Sequence, residues 1–222
     1  ANFLRVAGNS GDIAPAWLTP ALTIFGAVLL LGAAAALLVA RDENARPTYI
    51  ASGLAGIAFL FAAPGLQAAA QTFVPIMFLT LASYLAGVQL LRWSAQAGAG
   101  GAFLRGPVEV ALFAAALGVV GLPPFAGFWP RVVLIEGALR AQDATLLAVV
   151  LIGTVLFGAG LARRAFAVPA PAPILPIRGH AIAGAFGLLL GLSLAAGFLP
   201  GPALESAALN SAHGLTATTL RK

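Results

Sequence analysis

The sequence predicts an all-α membrane protein of about six transmembrane helices, one of them discontinuous at Pro123-Pro124. Three observations carry that expectation. Of 222 residues, 60% are hydrophobic and only 9% are charged, whereas soluble domains carry charge on about a quarter of their positions; a mean hydropathy of +0.98 agrees. Apolar runs recur between short polar turns, at the length a helix rising ~1.5 Å per residue needs to cross a ~30 Å hydrocarbon core. One such run, residues 107–140, is interrupted midway by the double proline and by Gly121 and Gly127, where a spanning helix should be regular. Membrane-depth backbone tolerates such a break only where protein or a polar cavity covers it.

In order, the chain reads as a single membrane domain, 1–222. The opening ANFLRVAGNSGDIAPAW has no apolar h-region, so no cleavable signal peptide is expected. Span one, 17–40, carries no charge and ends in the polar turn Arg41 to Pro47, whose proline suits the first turn of a helix. In span two, 48–63, the small residues Ser52, Gly53 and Gly56 allow close approach of neighbours. Span three, 73–92, closes on Arg92-Trp93, a basic and aromatic pair suited to the membrane interface. AQAGAGGAFLRG is expected to be a flexible loop. After the broken segment 107–140, span five, 144–162, lies between Asp143 and Arg163-Arg164. A proline-rich spacer follows, VPAPAPILPI, expected to be extended. Span six, 180–199, carries Gly187 and Gly191 at GxxxG spacing, and the tail 203–222 is polar enough to leave the membrane.

The arginines indicate how often 107–140 crosses. With one crossing, Arg41, Arg46, Arg92, Arg105, Arg163, Arg164 and Arg178 fall on one face and Arg140 alone on the other. Two crossings would scatter them more evenly, so the positive-inside rule favours six crossings with the N-terminus outside.

The same inventory limits the chemistry. Cysteine is absent, and two histidines, His180 and His213, cannot build a multi-histidine metal site alone. The net charge of +5 is spread singly or in pairs at the ends of apolar runs, as in membrane-protein loops and not as in a nucleic-acid patch. Neither a phosphate-binding loop, a dinucleotide fingerprint nor a metal cluster is present, so no catalytic, cofactor or metal residues are assigned. The candidates are charges inside the broken segment, Glu109, Arg131 and Glu136, with Tyr84 in span three, as proton-path or charge-tuning groups. Burial can bring a lysine into the range of proton exchange, whereas arginine stays protonated. Arg131 therefore reads as a fixed charge that orients water or tunes a carboxylate. The competing reading has Arg131 snorkelling or pairing with a partner subunit, and the two glutamates at the two interfaces.

GLPPFAGFWPR resembles the G-[LI]-P-P-x-A-G-F-[WF]-x-K pattern of the antiporter-like proton-channel subunits of respiratory complex I, shared with Mrp-type cation/proton antiporters and membrane-bound hydrogenases. The likeness is nearest to the N-type subunit. It extends to LLLGAAAALLVARDENARPTYIASGLAGIAF, where Asp42, Tyr49 and Gly56 fall on the family's aspartate, tyrosine and glycine. The resemblance covers roughly residues 18–200 and corresponds to the C-terminal half of such a subunit. It implies that the pattern lies on a discontinuous helix whose lysine belongs to the proton path. Here that lysine is Arg131, another family lysine is Asn44, and span three offers Thr80, Ser83, Tyr84 and Gln89 where many members carry a histidine or lysine. The resemblance implies an antiporter-like subunit of a complex I-like, NADH dehydrogenase-related assembly that contributes to or supports proton translocation. It also implies other membrane subunits as partners and a bacterial inner membrane as location. The alternatives are a degenerate structural subunit without ion conduction and a part of an Mrp-type antiporter.

Overall fold

The structure, a computed structural model, describes residues 17–39, 45–96, 99–163 and 179–198. Among these residues the chain is helical throughout and has no strands: α1 (Leu18–Val39), α2 (Arg46–Leu60), α3 (Gln67–Gln96), α4 (Ala99–Val120), α5 (Phe128–Arg140), α6 (Ala144–Ala162) and α7 (Gly179–Phe198). Four of them, α1, α3, α6 and α7, are long and apolar enough to cross a membrane. Large apolar side chains such as Ile24, Phe25, Val155 and Leu188 face outward on these helices, as expected where the surroundings are hydrocarbon and backbone polar groups must be satisfied internally. The protein is an integral membrane protein.

The helix ends follow from local chemistry. Pro47 lies in the first turn of α2, where its missing N–H costs nothing. The Asp143 carboxylate accepts from the backbone N–H of Leu146 at 2.9 Å, capping α6. Two elements differ from the sequence expectation. α3 is longer than 73–92 and contains Pro75, which a helix tolerates when neighbours cover the freed carbonyl. α4 begins at Ala99, inside the glycine-rich stretch expected to be a loop. Glycine weakens a helix by only about 1 kcal/mol per residue, which the apolar run beyond it outweighs. The proline-rich spacer, residues 41–44 of the first polar turn and the tail 203–222 lie outside the described residues.

Glycines set the packing. α1 and α2 form an antiparallel pair so close that a Cβ on Gly56 would sit 2.6 Å from the Leu30 amide nitrogen and 2.8 Å from the Gly26 carbonyl oxygen. α6 lies against the same α1 in parallel: Gly153 meets Leu30, Gly160 meets Leu37, and Arg163 Nη1 donates to the Leu38 carbonyl at 3.3 Å. From its start beside the end of α5, α6 runs on until Gly158 meets Val120, the last residue of α4. That is about 21 Å along α6 at 1.5 Å per residue, so α4 and α5 follow one another along it. Gly137, near the far end of α5, packs on Leu66 in the α2–α3 turn. The main core, with Leu30, Ile57, Phe61, Leu134 and Phe157, fills the space between α1, α2, α3, α5 and α6. A second cluster joins α3, α4 and α7 through Leu90, Val108, Ala115 and Phe186.

Candidate functional site: the interruption between α4 and α5

α4 stops for a reason written in its sequence. Gly121 takes the left-handed conformation, φ +83, which glycine enters without a Cβ penalty. Its N–H bonds the Gly118 carbonyl at 3.1 Å, and the Leu122 N–H bonds the Leu117 carbonyl at 3.0 Å; this is the paired closure of a Schellman motif. The prolines then follow where the helix cannot continue. The Pro123–Pro124 bond is cis, and both prolines face outward, while Phe125, Ala126 and Gly127 are buried. A Cβ on Gly127 would collide with the Gly118 carbonyl, so the chain folds back against the end of α4 before α5 begins.

That closure serves only part of the α4 terminus, because the last four carbonyls of any helix lack intrahelical partners. Arg131, one turn into α5, serves a third, that of Val119. Its side chain is 3% exposed, lies against Gly121, and donates from Nη2 to the Val119 carbonyl at 2.6 Å and from Nη1 to the Gly127 carbonyl at 2.8 Å. Its Nε is buried with no partner among the described residues. A positive charge is thereby set at the negative end of the α4 dipole.

α7 and α3 close the other sides. The Ala126 N–H donates to the Ser193 carbonyl at 3.0 Å, and Trp129 Nε1 donates to the Gly197 carbonyl at 3.0 Å. Gly197 lies so close to the Pro124 carbonyl that it has no room for a Cβ. On α3 the Thr80 methyl stands 3.5 Å from the position a Gly127 Cβ would take, and the Thr80 hydroxyl donates to the Met77 carbonyl at 2.8 Å. Tyr84, buried one turn further along α3, belongs to the main core.

The sequence-derived candidates therefore divide. Gly121, Pro123, Pro124, Gly127 and Arg131 come together, and Tyr84 lies about 6 Å along α3 from Thr80. Glu136 instead pairs with Arg140 on an exposed part of α5. Glu109 is exposed on α4, about 16 Å along the helix from Val120. Ser193 and Gly197 complete the site without having been singled out by the sequence, together with Trp129, which lies in the GLPPFAGFWPR pattern but had no role assigned. The first two act through backbone carbonyls, which leave no compositional trace. Among the described residues no three His, Cys, Asp or Glu side chains group as metal ligands.

No family model matches the chain, and no curated protein matches it. A solved structure does: a chain of respiratory complex I from Thermus thermophilus with bound aureothin, at 28% identity and a TM-score of 0.59 over 90% of this chain. The match spans 46% of that chain, so the present chain corresponds to about half of its length. The likeness supports a complex I-type membrane subunit.

Proposed function

We propose that the protein is an antiporter-like membrane subunit of a complex I-like assembly in a bacterial inner membrane, contributing to or supporting proton translocation beside other membrane subunits. The observation that carries this reading is the likeness to the Thermus complex I chain, 28% identical over 90% of the sequence. The interruption between α4 and α5 supports it, because irregular backbone at membrane depth is kept where it lines or contacts a functional path.

The chain is read as one membrane domain of six crossings, with α4 and α5 forming a single interrupted crossing. The parallel packing of α1 on α6 favours that count. Parallel spans differ by an even number of crossings, which holds from first to fifth if α4 and α5 count as one. Within this reading Tyr84, Glu109, Glu136 and Arg131 are the proton-path or charge-tuning groups.

One observation favours a second reading, a structural subunit that conducts nothing itself. Arg131 is engaged by two backbone carbonyls, and a guanidinium stays protonated. Extraction of the tagged chain in mild detergent, with identification of what accompanies it, tests the assembly. Membrane and redox subunits of a complex I-like enzyme are expected, and a chain that purifies alone contradicts the proposal. Protons moved per electron in vesicles, measured for Glu136→Gln and Arg131→Lys, separates the two readings. A raised ratio in Arg131→Lys or a changed ratio in Glu136→Gln supports participation in the path, and an unchanged ratio in both leaves the structural role.

A further inference from the structure

We infer that Arg131 is a permanent cross-brace, a positioning residue that fixes the end of α4 relative to the start of α5, and that it does so without exchanging a proton. The inference holds whether or not the chain conducts protons. Three features of the geometry carry it. The two bonds from one guanidinium reach opposite sides of the interruption, Val119 at the end of α4 and Gly127 at the head of α5. Both acceptors are neutral backbone carbonyls: that of Val119 is among the last four of α4, which lack intrahelical partners and carry the negative end of the dipole, and that of Gly127, at the N-cap of α5, offers its second lone pair. The site is also shaped around this side chain: a Cβ on Gly121 would overlap the Arg131 side chain, and Pro130, just before it, is fully buried.

A planar fork suits this task and an ammonium does not. The guanidinium holds its donors in fixed directions and satisfies two separated acceptors at once, whereas lysine offers a compact point charge that shifts its protonation when buried. Neither of the hydrogen bonds described for the Arg131 guanidinium goes to a titratable group. Glu136 on α5 is paired with Arg140, and Asp143 caps α6. Tyr84 lies one turn beyond Thr80 on α3. Glu109 stands midway along α4 and His180 near the start of α7, each about 16–20 Å along its helix from the interruption. The brace therefore keeps one protonation state, and the geometry of residues 118–131 is insensitive to pH near neutrality.

Amide hydrogen exchange of the full chain in lipid nanodiscs, read on peptides spanning 117–130 and corrected for intrinsic exchange, tests this. In the wild-type protein, protection of Gly121, Leu122 and Ala126 is expected to be constant from about pH 6 to about pH 8. Arg131→Met should raise exchange there about tenfold at every pH while α1 and α2 stay protected, the signature of local opening. Arg131→Lys should give partial protection that falls as pH rises and the ammonium loses its proton. Wild-type protection that changes with pH overturns the inference. So does Arg131→Met indistinguishable from wild type, or Arg131→Lys as protected as wild type and flat with pH.

Discussion

The chain holds its helices together in two different ways. Where α1, α2 and α6 meet, the contacts are apolar: Gly26 on Gly56, Gly53 under the ring of Phe157, Gly153 and Gly160 under Leu30 and Leu37. Small residues let backbones approach, and dispersion at close range replaces the hydrophobic driving force that lipid cannot supply. At the interruption the contacts are backbone hydrogen bonds and one buried guanidinium. The first region leaves no room for added volume, and the second is held by paired donors and acceptors, with the buried Arg131 Nε as an exception. The contacts thus change from packing to polar satisfaction between the two regions, as the carbonyls at a helix end in a membrane protein have no water to turn to.

The largest effect is expected where the bulkiest side chain is set against backbone. Gly56→Leu drives a side chain into the backbone of Leu30 and should cost about 3 kcal/mol, the upper range for overpacking. A lost monodisperse peak in size-exclusion chromatography would show it, and a well-behaved variant would mean that α1 and α2 are not locked as described. Gly197→Val comes next, with about 2 kcal/mol from collision with the Pro124 carbonyl. Its thermal melt in detergent should fall while the α1–α2 region keeps its exchange protection. Asp143→Ala removes the cap of α6 and should cost about 1 kcal/mol, read as a smaller drop in melting temperature and rescued by Asn. The smallest loss separates the regions from the outer face of α7. No atom lies within 4 Å of the Cβ positions of Gly187 and Gly191, so Gly187→Ala with Gly191→Ala should cost the isolated chain no stability, alanine favouring the helix by up to about 1 kcal/mol per site. A large loss would mean that this face is packed in the isolated chain.

That last pair also shows where the sequence misleads. GxxxG spacing at Gly187 and Gly191 reads as close helix contact, yet within this chain the tight glycine of α7 is Gly197, whose neighbour Pro124 lies far away in sequence. Local signals were readable: Gly121 followed by two prolines is a helix stop, Pro47 and Asp143 mark helix starts, and the small residues of span two lie where helices touch. The start of α4 was not readable, because glycine composition argues for a loop while the helix is extended into it by the apolar run beyond. The surroundings of Arg131 were only half readable. A buried charge directs attention to the carboxylates Glu109 and Glu136, but its bonds go to carbonyls of Val119 and Gly127, atoms that every residue type carries equally. A polar side chain that engages backbone is the contact least visible in a sequence.

The most direct test of the central claim, a single interrupted crossing built from α4 and α5, uses the absence of native cysteine. Ala95→Cys near the end of α3 and Ala141→Cys just after α5 are both at exposed positions, and each can be labelled in oriented vesicles by a thiol reagent that does not cross membranes. One interrupted crossing predicts that the two cysteines react from opposite sides of the bilayer. Labelling of both from the same side would mean that α4 and α5 cross separately, and would contradict the account.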